Sequence, residues 1–148
     1  MTAWITVVAG LAGALIALAG QQWGMHGAKR TRAGELLLEQ CAQLNALSED
    51  FRNRAWEETV LGQQGRVDAW DLSGHRLATA RVKILCQDSA VLAALTEMNE
   101  SGTAYGSHLR RGDLTEDELK ALRKRNKISI ETFAASSARV VRRRLGAI

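Results

Sequence analysis

The sequence predicts an all-α protein: a single N-terminal transmembrane helix followed by a cytoplasmic up-down helical bundle of three to four helices. Three observations lead there. The 148 residues contain no proline, where average usage would give about seven, and a chain without proline favours long uninterrupted helices. Residues 1–28 hold 18 of the 68 hydrophobic residues and none of the Asp, Glu, Lys or Arg. From Thr31 onward the apolar residues recur with helical spacing. This uneven partition excludes a uniform soluble globule, a disordered chain and a disulfide-dense mini-protein.

The first element is the anchor, residues 1–28. Ala3 to Gly20 reads AWITVVAGLAGALIALAG, and a bilayer core needs about 20 mostly apolar residues as a helix, because lipid offers the backbone no hydrogen-bond partner. Trp4 and Trp23 bracket the stretch, about 28 Å apart at 1.5 Å per residue, close to the hydrocarbon thickness. Their rings suit the membrane interface, apolar in body with an N–H that wants water. Lys29, Arg30 and Arg32 follow at once, with nothing basic before the segment, so the positive-inside bias predicts an N-terminus outside and a C-terminal domain in the cytoplasm of a cell (plasma or inner) membrane protein. A cleaved signal peptide is the rival, with Ala17-Leu18-Ala19 as its cleavage site. It lacks the basic n-region that such a peptide carries.

The anchor also carries a stripe of small residues. Ala3, Gly10, Ala17 and Gly24 are seven apart, as are Thr6, Gly13, Gly20 and Gly27. Gly13-x-x-x-Ala17 and Gly20-x-x-x-Gly24 fit the spacing that lets helix backbones approach closely in lipid. The expected packing face is Gly10, Gly13, Ala17, Gly20 and Gly24, with a homo-oligomer as its product.

Residues 29–148 form the expected bundle. Leu37, Cys41, Leu44, Ser48, Phe51 and Ala55 alternate by four and three, predicting a helix that runs to Leu61 and stops at Gly62 to Gly65. A second helix is expected to bear Val67, Trp70, Leu77, Ile84 and Leu85, with Gly74 as a potential kink. Asp88 reads as the N-cap of a short helix with Val91, Leu92, Leu95 and Met98, ended by Asn99 to Gly102. Residues 102–113 read as a loop rich in Gly, Ser and basic residues. Thr115 to Glu118 is a capping box opening a helix that continues or breaks briefly near Asn126, with Ile130, Phe133, Ala134, Val141 and Leu145 on one side. A hairpin over Arg66–Ser73 and His75–Leu85 is a strand-like rival, but its apolar residues alternate poorly.

Charge is partitioned as well. The formal charge of +4 divides into −4 over residues 29–119 and +8 over residues 120–148. Arg139, Arg142, Arg143 and Arg144 are the expected contacts of this basic tail with anionic lipid or an acidic partner. Nucleic acid is disfavoured, because Phe133 is the tail's only aromatic residue and no recognition motif accompanies it.

No residue pattern points to catalysis. Cys41 and Cys86 lie 45 positions apart, outside any zinc or redox spacing, and read as buried small hydrophobes. Asp68, Asp71 and His75 share a helical spacing, which more often makes an exposed ion pair than a metal site. Phosphate-cradle, hydrolase-elbow and zincin motifs are missing. Trp56 and Trp70 flank the Gly62 turn and are expected to pack in the core. The expectation is therefore a non-enzymatic, membrane-anchored interaction or scaffold protein without cofactor or metal, whose partners are membrane lipids, a second copy and a further protein. A holin-like or pore-forming effector is the alternative. Fifteen arginines against five lysines suggest GC-rich bacterial coding.

Overall fold

The computed structural model describes the backbone of residues 2–146 and the side chains of residues 31–146. Four helices follow in order: α1 (Thr2–Val60), α2 (Leu72–Leu85), α3 (Ser89–Arg111) and α4 (Glu116–Leu145). The described part is all-α, and among the described residues there is no strand, so the hairpin rival falls. Also among the described residues, no helix is long and apolar enough to cross a membrane. The segment expected as an anchor, residues 1–28, lies outside the residues whose side chains are described, and so do Trp4, Trp23, Lys29, Arg30 and the small-residue stripe.

Helix α1 ends where the glycines dictate. Gly62 and Gly65 adopt φ 68° and 78°, a left-handed backbone that glycine enters without a Cβ clash. The last turn of α1 then grips the linker. Glu57 binds Arg66 at 2.6 Å and Glu58 accepts from the Val67 N–H at 2.9 Å, while Arg54 donates to the Arg66 carbonyl.

The second helix differs from its expectation in both start and phase. It begins at Leu72, and Val67 and Trp70 belong to the linker. Asp71 is the N-cap, accepting from the Gly74 N–H at 2.8 Å. Gly74 is no kink: it lies in the first turn, where a Cβ would collide with the Asp71 carboxylate. The buried face is Ala78 and Val82, whereas Leu77 and Ile84 are 51% and 78% exposed. The small Ala78 lets α2 settle on α1, and the bulkier residues beside it turn outward.

Helix α3 runs through both the expected stop at Asn99 to Gly102 and the expected loop. Asp88 caps it by accepting from Ala90 and Val91. It ends only at Gly112, whose φ of 61° and N–H bond to the His108 carbonyl close the last turn. A helical glycine costs about 1 kcal/mol against alanine; at Gly102 a Cβ would make only an ordinary contact with Asn126 at 3.5 Å, whereas Gly106 is held by packing. At Gly106 a Cβ would stand 3.3 Å from the Phe51 ring, and glycine is what lets α3 approach α1 there.

Helix α4 opens with the reciprocal capping box of Thr115 and Glu118. It continues without a break past Asn126 to Leu145. Ile130, Phe133, Val140 and Val141 face inward, with Ala134 partly exposed. The main core joins Leu37, Cys41 and Leu44 of α1 to Val82, Leu95, Met98 and Phe133. A smaller cluster of Phe51, Ala55, Val67 and Tyr105 closes the end near the linker.

The topology is up-down-up-down. Helices α1 and α4 pack on each other, α3 lies along α4, and α2 leans on α1. Helices α2 and α3 share no extended contact. That gap positions the candidate site.

Candidate functional site

Between α2 and α3 lies a cleft of about 360 Å³, reached by α1 and by Asn126 of α4. This is within the size of pockets that take small molecules. One wall comes from the part of α3 that reads as a loop in sequence. Asn99, Gly102, Thr103, Gly106 and Ser107 line the cleft from that side.

The apolar part is built by Phe51 and Trp70. Their rings lie 4.9 Å apart at 54°, and Trp70 is fixed by an Nε1–H bond of 2.8 Å to the Leu47 carbonyl. Trp70 therefore packs on Phe51 and not on Trp56, which is 41% exposed. The pairing expected across the turn does not form, since Trp70 sits in the linker and swings toward α1.

His75 stands beside Trp70 at 5.0 Å, with its Nε2 3.3 Å from the Ser48 hydroxyl. The Ser48 hydroxyl also reaches the Leu44 carbonyl, to which it donates at 2.9 Å. Burial pushes the His75 pKa below its ordinary value and keeps the ring neutral. Asp71 makes no pair with it. That carboxylate is held below the usual range by the Gly74 N–H and the Ser73 hydroxyl, because capping engages it. Among the described residues, no group of three His, Cys, Asp or Glu side chains converges as a metal site would require.

The cleft wall contains polar atoms without hydrogen-bond partners. They are Thr79 Oγ1, Asn99 Oδ1 and Asn126 Oδ1. Asn126 is 2% exposed; its Nδ2 donates to Ser101 at 3.2 Å, and Ser101 and Ser129 share a bond of 2.6 Å. Such a network fixes the amide, and its unmatched oxygen carries the cost of desolvation. Arg76 of α2 and Arg110 of α3 also border the cleft, and neither guanidinium has a partner among the described residues. No carboxylate lines this space.

No protein-family model, curated protein or solved structure matches this chain.

The cysteines and the basic tail singled out in the sequence lie elsewhere. Cys41 and Cys86 are buried free thiols, and burial raises the Cys41 pKa. In the basic tail, Arg144 donates to the Leu85 carbonyl at 2.9 Å and Arg143 pairs with Asp88 at 2.9 Å. Arg139 donates to Ser136 at 3.2 Å. Arg142 and Arg32 are exposed. The tail thus ties α4 to the turn between α2 and α3, and leaves Arg142 outward. No sequence motif marks the cleft. The one available clue is the run of small polar residues from Asn99 to Ser107.

Proposed function

We propose that this chain is a non-enzymatic, single-pass membrane-anchored interaction protein, with residues 1–28 as the anchor, the N-terminus outside and the bundle on the cytoplasmic side. The observation that carries the reading is the charge-free run of residues 1–28 ending in Lys29, Arg30 and Arg32. Supporting it, the α1 backbone is one helix from Thr2 to Val60, so the run would pass into the bundle without a linker. Helix α4 also returns to that end of the bundle. A Cβ on Gly34 would meet Leu145 at 2.9 Å and Arg144 at 3.3 Å, which brings Arg142 near the level of Arg32. Two outward cations beside a membrane entry would each gain about 1 kcal/mol from anionic headgroups. Trp4 and Trp23 would mark the interfaces, and the stripe from Gly10 to Gly24 would pair anchors. The bundle would present its surface to a partner protein.

Alkaline carbonate extraction of membranes from expressing cells tests this. The full chain is expected in the membrane pellet, and a Leu15→Arg, Ile16→Arg variant in the supernatant, because two central charges cost about 5 to 7 kcal/mol on insertion scales. Complete extraction of the unaltered chain would overturn the anchor.

A further inference from the structure

We propose that the cleft between α2 and α3 is a binding site for a small soluble organic anion, a phosphate or carboxylate attached to a flat body that bears N–H or O–H donors. Three independent features of the cleft converge on that chemistry.

The first is charge. Arg76 and Arg110 approach from α2 and α3 with no acidic residue in the lining. Elsewhere most arginines are engaged: Arg54 with Asp50, Arg66 with Glu57, Arg111 with Asp113 and Arg125 with Glu97. Two unpaired guanidiniums on facing helices form a ready partner for a phosphate or carboxylate, which arginine holds through paired N–H donors.

The second is the polarity of the interior. Hydroxyl and amide side chains of Ser48, Thr79, Asn99, Thr103 and Ser107 line it. A lining of hydroxyls and amides matches a ligand that brings hydrogen-bond donors and disfavours an analogue without them.

The third is shape. The rings of Phe51 and Trp70 supply an apolar surface, and Gly102 and Gly106 leave room beside them on the α3 side. This arrangement admits a flat body and excludes a bulky one. Position along the bundle separates the occupant from a lipid headgroup. Ser48 lies fourteen residues beyond Gly34, about 21 Å along α1, well away from the end that would meet a membrane. The ligand is therefore drawn from solution. The inference does not rest on the anchor, because every residue it uses belongs to the bundle.

Isothermal titration of the full chain in mild detergent with adenosine monophosphate and, separately, para-aminobenzoate tests the site. The two probes share the anion, the flat body and the donors, and they distinguish a phosphate from a carboxylate ligand. At least one is expected to bind saturably with a Kd below about 1 mM, and the paired change Arg76→Gln, Arg110→Gln to weaken it by about tenfold or more. Thr103→Trp, at an exposed position on the rim, is expected to abolish binding by filling the cleft. Arg142→Gln, remote from it, should leave the Kd unchanged. Thermal melts of each variant establish that the fold is kept. Failure of both probes to bind at about 5 mM, or equal binding by the native chain and the folded variants, would overturn the proposal.

Discussion

Tyr105 is fully buried, and its hydroxyl has no hydrogen-bond partner. The ring packs edge-on against Phe51 at 6.0 Å, so its aromatic body stabilises the smaller core cluster while its polar tip is a cost. Tyr105→Phe should keep the packing and remove the unmatched group. It is expected to raise unfolding stability by about 1 kcal/mol, read as a higher urea midpoint at unchanged slope. His75 sets a pH dependence with a definite sign. Its pKa is lowered in the folded state by burial, so the unfolded chain takes up a proton first as the pH falls. Stability is full above about pH 6.5 and declines below it until the folded imidazole also protonates, by at most about 1.4 kcal/mol per pH unit. Between pH 7.5 and 5.5 the native chain should lose more stability than a His75→Gln variant, in which the carboxylates titrate alike. Neither role shows in sequence. An aromatic at position 105 looks like part of a loop, and a histidine four residues after Asp71 looks like its ion-pair partner. What decides both is the α1 surface they meet.

At the scale of the helices, the caps and the buried faces of α1 and α4 were legible, whereas the face of α2 and the extent of α3 were not. Asp88, the Thr115–Glu118 box and Gly62 act on their own backbone neighbours, so their meaning is carried within a few residues. The buried face of α2 is a tertiary choice, and periodicity alone placed it one residue off, at Leu77 rather than Ala78. The continuation of α3 past Gly102 is likewise decided by Phe51 on another helix. The same asymmetry sorts the helices by stability. Helix α2 buries only Ala78 and Val82 within its span, whereas α4 buries eight residues. Amide exchange should therefore open α2 as a separate unit, with protection at least about tenfold lower than in the centre of α4. Equal protection of the two helices would show that α2 is bound more firmly than its burial implies.

For the molecule as a whole, the sequence told its parts more clearly than their arrangement. Helical content and the division of charge at residues 28 and 119 follow from composition and spacing. The cleft does not, because it is created by two helices failing to meet, and a gap leaves no periodic trace. Its only imprint is a stretch of small polar residues that local reasoning takes for a turn. The even number of passes has a practical consequence for building with this protein. Helix α4 finishes beside Gly34, so the two ends of the bundle's chain share one pole. The turns after α1 and α3 share the other, about 39 Å away along α1. A reporter domain spliced between Gly62 and Gly65 would ride at the far pole, and one fused after α4 would sit against the near one. The pair of fusions makes the bundle a ruler of known length.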